Sequence, residues 1–401
     1  MTQPFNRLRR VIIRPGAPLL ALCLAAAVAP GCTTKAHNEH VLKVGFVGGQ
    51  TGYLAIFDQP ILQGARMAIN DINAAGGVDG KIRIQLISRD MRSETAESAV
   101  MAQELLEQGI AILVTACDVD PTIAAGQIAA EEHVVAISSC ATPPVIPAIV
   151  GEYMFINATP DNLQGAVLGE YAAQQGYKTA VTLISRDTPY TEKLPAYFGE
   201  SFGAKGGKVV RVLEYKMGQQ DFAVEVSKIK AMDPAPDVIM TSAYEPDFPA
   251  FIKQLRSAGI TTPVLGSDAI DSPTVLGLGS MVDGVVYSMG GFPGPGSRLA
   301  AFNEEYKKVY GAEPDTVFTA VGYDLIQIIE AAVKGAGDRT DPESIRKSLN
   351  EIENLPIASG TITYKGMNRS PLRMISLIRI GHGTKQHIAD IMPSPADVPK
   401  P

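Results

Sequence analysis

Residues 41–47 form a nearly continuous apolar run, the pattern of a short strand buried on both faces. Ile61, Ala65, Ala68, Ile69 and Ile72 then recur at helical spacing, and Gly76 and Gly77 end that helix. Residues 82–87 alternate as a strand, 94–107 read as a helix, and 111–115 as a buried strand. Pro121 opens another helix at a position where proline is tolerated, and 134–137 is the next strand. The rhythm resumes after residue 157. Helices over 161–175, 190–204, 221–231 and 247–258 alternate with strands over 179–184, 208–214, 237–241 and 263–266. The stretch 290–296 (GGFPGPG) reads as a loop, helical patterns return over 298–310 and 317–334, and the proline-rich tail is expected to be disordered. Such alternation implies an α/β protein with parallel sheets flanked by helices, in two units of similar size.

The N-terminus departs from this pattern. Arg7, Arg9, Arg10 and Arg14 precede an apolar run over 19–29 that is too short for a stable membrane anchor. Ala29, Pro30, Gly31 and Cys32 follow. This order reads as an export signal over 1–31 whose end resembles a bacterial lipoprotein box, with Cys32 lipidated and 32–40 as a linker. Ala29 stands where leucine is usual, and ordinary signal-peptidase cleavage near Ala27 or Ala29 is the rival reading. The protein is expected in the periplasm or cell envelope, touching membrane through a lipid anchor only.

Composition narrows the function. The 401 residues carry 35 Lys and Arg against 42 Asp and Glu, a net charge of −7. Losing the four leader arginines takes the mature chain to −11, which argues against a nucleic-acid partner. No phosphate-binding loop, dinucleotide fingerprint, GxSxG elbow or metal-spaced His or Cys pair occurs, so neither enzyme chemistry nor a cofactor or metal is expected. Of the cysteines, Cys23 leaves with the signal and Cys32 is the lipidation candidate; Cys117 and Cys140 remain for an oxidising compartment.

The stretch VLKVGFVGGQTGYLAIFDQPILQGARMAINDINAAGGVDGKIRIQL, over 41–86, is similar to the start of the periplasmic leucine/isoleucine/valine-binding protein family. It carries the Thr51-Gly52 turn, Gly64-Ala65 within the helix, and the INAAGG ending at Gly77. That ending is also what a helix C-cap requires. Further matches fall at 137–142, 185–190, 241–246, 266–268 and 319–324, so the resemblance spans about 41–390. It implies a two-lobed type I solute-binding fold with three hinge crossings, near 156–159, 286–292 and 354–359. Lobe 1 would hold 41–157 and 290–355, lobe 2 would hold 158–289 and 356–390, and 391–401 would be the disordered tail.

Ligands of open α/β sheets bind outside the carboxyl ends of the strands. By the resemblance, Cys140 and Ala141 through their backbone, and Thr142 through its hydroxyl, would hold an amino acid's charged ends. Thr142 also suits a helix cap or a hydroxyl turn. Tyr190 and Tyr244 match pocket aromatics of lobe 2, and Asp268 sits where the family faces the ligand ammonium. Phe57 and Phe318 would line the side-chain space. One departure concerns Asp118 and Asp120, since members binding amino acids usually carry a short hydroxyl residue just after the cysteine position. Ionised aspartate cannot donate and repels an anion. Either these residues face the cleft and favour a cationic or donor-rich ligand, or they cap the helix near Pro121.

Cys117 ends one strand and Cys140 follows the next. Strands joined by one crossover are usually neighbours, so a disulfide between them is expected, with two buried free thiols as the alternative. Family members with a disulfide near here usually pair the first cysteine with one around Met91, where this chain has none. The resemblance implies a monomeric solute-binding component of an ABC importer, working with an inner-membrane permease on a small amino-acid-like or polar solute. A ligand sensor acting on a membrane receptor is the alternative.

Overall fold

The computed structural model describes residues 40–337 and 339–401. The expected export signal, the lipidation candidate Cys32 and the expected linker up to residue 39 lie outside the described residues, and His40 already belongs to the first strand.

The first half runs β1 (His40–Gly48), α1 (Ala55–Ala74), β2 (Ile82–Asp90), α2 (Thr95–Glu107), β3 (Ile112–Thr115), α3 (Val119–Glu131), β4 (Val135–Ser138), α4 (Ile146–Val150) and β5 (Met154–Ile156). Its five strands form a parallel sheet in the order β2-β1-β3-β4-β5. Val44, Phe46 and Val47 of β1, and all of β3 and β4, are buried because helices cover both faces. Chain order and sheet order differ only at the edge, as short crossovers dictate.

The second half runs α5 (Asp161–Gln174), β6 (Thr179–Ile184), α6 (Pro189–Ala204), β7 (Lys208–Glu214), α7 (Ala223–Lys230), β8 (Val238–Thr241), α8 (Asp247–Ser257), β9 (Val264–Gly266), α9 (Pro273–Leu276) and β10 (Val286–Met289). After it come α10 (Arg298–Tyr310), α11 (Phe318–Gly335), α12 (Pro342–Glu351), β11 (Leu355–Ile357), β12 (Gly360–Thr363), β13 (Leu372–Arg373), β14 (Ile375–Gly381) and β15 (Thr384–Ile391). The second sheet is β15-β14-β10-β9-β8-β6-β7. Its β6 to β10 part is parallel, as the alternation predicts, but β14 and β15 add antiparallel at the edge. A two-residue turn joins them, with His382 and Gly383 both at positive φ, the geometry that matches strand twist.

The chain passes between sheets at 157–160, at 290–297 and around residue 374. The third passage lies later than expected. Residues 355–373 build the small sheet β11-β12-β13, and this lies against the end of the first sheet. The Ile156 N–H donates to the Arg369 carbonyl at 3.0 Å, and the Tyr364 hydroxyl donates to the Ile156 carbonyl at 2.7 Å. Residues 356–373 therefore pack with lobe 1 rather than lobe 2. The expected disorder of the tail is also corrected: Pro399 is buried, and its carbonyl accepts from Asn162 Nδ2 at 2.9 Å. Prolines restrict the tail's unfolded conformations, which lowers the entropy cost of docking it.

A buried ion pair braces these passages. Arg373 Nη2 meets Asp324 Oδ2 at 2.9 Å, and both side chains are almost fully buried. The same guanidinium donates to the carbonyl of Asn157, whose own Nδ2 donates to the Ser139 and Val321 carbonyls. Residues of the first passage, the third passage and α11 thus share one polar network. Breaking a buried pair from one side costs about 3–5 kcal/mol, because the other charge is left uncompensated.

Backbone contact between α1 and α11 positions two aromatic side chains. Gly64 lies against the Thr319 carbonyl and Gly322 against the Ile61 carbonyl, so close that a Cβ on either would overlap backbone. This crossing sets Phe57 and Phe318 with ring centroids 5.2 Å apart. Among the described residues, no helix is long and apolar enough to cross a membrane.

Candidate functional site

The carboxyl ends of the two sheets face each other across a cavity lined from both sides. From the first sheet, Cys117, Asp118 and Val119 follow β3, and 140–143 follow β4. From the second, Tyr190 stands at the start of α6, Tyr244 follows β8, and Asp268 and Ala269 follow β9. Phe57 of α1 and Phe318 of α11 complete the lining.

Four rings form a connected series. Phe318 meets Phe57 edge-on, Phe57 meets Tyr244 at 6.4 Å and 79°, and Tyr244 meets Tyr190 at 5.9 Å and 61°. Such edge-to-face packing exposes both ring faces and ring edges to the space between them. The Tyr190 hydroxyl is held by Ser267 Oγ at 2.6 Å and donates to Asp268 Oδ1 at 2.8 Å. Gln164 of α5 supports the same corner: its Oε1 accepts from the Asp268 N–H at 3.2 Å and from Ser288 Oγ at 2.6 Å.

Acidic groups dominate the charge. Asp118 is the N-cap of α3, its Oδ1 accepting from the Val119 N–H at 2.7 Å, and its Oδ2 accepts from the Tyr53 hydroxyl at 2.9 Å. Burial raises its carboxyl above the ordinary range, opposed by those two bonds. Burial likewise pushes Asp268 up to about 6, with the Tyr190 hydroxyl pulling the other way. Asp118 thus caps the helix and lines the cavity at once, so the two expected roles coexist. Asp120 does neither: it is exposed in the first turn of α3 and is absent from the lining. The helix begins at Val119, two residues before Pro121, and this turns Asp120 to solvent.

Two carboxyls behind the wall escaped the sequence reading. Asp58 is fully buried in α1, where Oδ2 accepts from the Gly49 N–H at 2.6 Å and Oδ1 from the Cys117 N–H at 2.9 Å. It ties the end of β1 to the end of β3, and burial pushes it up to about 7. Its signal is its spacing, since Ile61, Leu62 and Ala65 follow three, four and seven residues on, which puts an acid on the apolar face. Asp161 opens α5 at the first passage between sheets. It is fully buried, and burial raises its carboxyl well above the ordinary range; Thr142 lowers it and Asp268 raises it further. No periodicity marks that position.

Cys117 and Cys140 stand in disulfide contact with Cα atoms 4.6 Å apart, linking the ends of the paired strands β3 and β4. Both also line the cavity. Among the described residues, no group of three or more His, Cys, Asp or Glu has the arrangement of a metal site.

The sequence pattern of the periplasmic binding protein family matches residues 41–385. An amino acid binding protein from Pseudomonas aeruginosa is 29% identical over 321 residues, covering 79% of this chain and 84% of that protein. A leucine binding protein from Thermotoga maritima superposes with a TM-score of 0.80 at 25% identity, covering 89% of this chain and all of that one. A solute binding protein from Rhodopseudomonas palustris, solved with 3,4-dihydroxybenzoic acid, superposes with a TM-score of 0.77 at 23% identity, covering 89% of this chain and 99% of that one.

Proposed function

The chain belongs to the periplasmic binding protein family, and on that premise we propose that it is the solute-binding component of an ABC importer, closing its two lobes on a small amino-acid-like or polar solute. The observation that carries the reading is the cavity itself, whose lining comes from strand ends of both sheets. A solute there touches both walls only when the lobes are together. Its binding free energy is therefore spent partly on the closed state, and the affinity scales with the closed fraction. The named binding of amino acids by the Pseudomonas aeruginosa relative supports an amino-acid-like solute, in a range from amino acid to amide or amine that the acidic lining of the cavity suggests.

In this reading Phe57, Phe318, Tyr190 and Tyr244 enclose the solute, and Asp268 meets a cationic or donor group. Asp118, Cys140, Ala141 and Thr142 form the opposite wall. The protein performs no chemistry on the solute. It works as a monomer in the periplasm, anchored through a lipidated Cys32, and presents the closed form to an inner-membrane permease. The Cys117–Cys140 bond forms on export and fixes the first wall.

A thermal-shift screen against amino acids, amides, amines and aromatic acids tests the reading. A bound solute stabilises only the folded state, by about 2.7 kcal/mol at a hundred times its Kd. The expected result is a raised Tm with one chemical class. A flat response across all four classes contradicts the reading.

A further inference from the structure

The charge balance of the cavity deepens the proposed function and rests on it. Asp118 comes from the first sheet and Asp268 from the second, and none of the lining residues is Lys, Arg or His. Behind them, Asp161 donates its backbone N–H to the Thr142 carbonyl at 3.2 Å. Among the described residues only Thr142 meets its side chain, and no cation does. It is fully buried, and its charge acts on that of Asp268. A buried carboxyl with so little support stays protonated unless a cation comes to meet it.

The rings make the same demand independently. Phe57, Phe318, Tyr190 and Tyr244 all line the cavity, consecutive rings of the series meeting at centroid spacings of 5.2 to 6.4 Å. Aromatic faces attract cations through the ring quadrupole, and enclosure strengthens the attraction by removing water.

We propose that the cleft selects small organic cations that carry no carboxylate, with the ammonium among the four rings between Asp118 and Asp268. Asp118 is the residue that rejects the anion. Val119 and Tyr53 both donate to it, so it stands in the wall as an acceptor beside the stretch 140–142. The backbone N–H groups of Ala141 and Thr142 have no acceptor among the described residues, and they suit a neutral carbonyl or hydroxyl oxygen. Amino amides and amino alcohols satisfy all of these groups. A free amino acid would place its carboxylate against Asp118 with no cation nearby.

Matched probes decide this. Alanine, leucine and phenylalanine are each titrated calorimetrically against their primary amides at pH 7, into the purified protein. The amide is expected to bind at least tenfold more tightly than its parent acid in the pair that binds. Asp118→Ser should reduce that ratio to below threefold, since serine keeps a helix cap and supplies a donor. Asp118→Asn, which keeps the shape without the charge, should shift the ratio the same way if the serine variant folds poorly. Equal or tighter binding of an acid by the wild-type protein overturns the inference, as does binding of no member of any pair. In either case, a hit elsewhere in the thermal-shift screen leaves the solute-binding reading standing, whereas a blank screen removes both.

Discussion

The two walls of the cleft are built from different material. The wall from the first sheet is largely backbone, two strand-end segments tied by the Cys117–Cys140 link and by the buried Asp58 carboxylate, which accepts from Gly49 and Cys117. The wall from the second sheet is side chain, with Tyr190, Ser267, Asp268 and Gln164 joined in one hydrogen-bonded corner. Backbone amides held by covalent and buried bonds offer a fixed geometry to any acceptor of the right shape. Long side chains in a network set chemical preference, and their charge responds to pH. The division assigns rigidity to the first wall and selectivity by charge to the second, with Asp118 as the acidic residue of the rigid side that lines the cavity.

Opening the cysteine link attacks the rigid wall, with the largest expected effect. The two cysteines are 23 positions apart, so the link closes a loop of about 24 residues and stabilises by roughly 3 kcal/mol on the chain-entropy estimate. Replacing both by serine should lower unfolding stability by about that amount in chemical denaturation and weaken solute binding. Thiol counting on the unfolded, unreduced mature protein checks the link itself: it should find no free thiol, and two would refute it.

Attacking the selective wall comes next. Asp268→Ala removes the partner of a desolvated ammonium and should weaken an amine probe by about 2 kcal/mol in calorimetry, with little change in unliganded stability. An unchanged affinity would move the cation elsewhere in the cleft. Acid should act on the same group. Asp268 titrates near 6 and faces Tyr190, with Asp161 close enough to act on its charge. A cation prefers the ionised carboxylate, so affinity is full above pH 7 and falls as pH drops through 6. About a tenfold loss is expected at pH 5, or about 1.4 kcal/mol. Proton release on binding should appear as a buffer-dependent enthalpy near pH 6.

The smallest effect sharpens the contrast within the first wall. Asp120→Asn should change affinity by less than about 0.5 kcal/mol, as exposed sites usually do. An effect equal to that of Asp118→Asn would mean that long-range charge, rather than contact, sets the preference.

The alternation of strands and helices was legible because strands buried on both faces read as apolar runs. The strand over 179–184 and the helix over 298–310 fall where the pattern puts them. The region after residue 351 was not legible. Its strands are short, and its antiparallel edge depends on a His-Gly turn that the parallel pattern does not anticipate. At the site, aromatics and acids at strand ends could be named from the resemblance, but the two aspartates of α3 could not be separated. They lie two residues apart, about 200° around a helix, so one faces the cleft only if the other does not. A helix start at Val119 rather than Pro121 decides which. Asp161 and Gln164 sit where the chain crosses between sheets, and only the packing of distant segments gives them their neighbours.

Small-angle X-ray scattering of the protein, before and after saturation with the solute that raises its Tm most, tests the central claim of capture by closure most directly. The account predicts a smaller radius of gyration with the solute than without it. A scattering curve that stays the same while calorimetry shows full occupancy would contradict it.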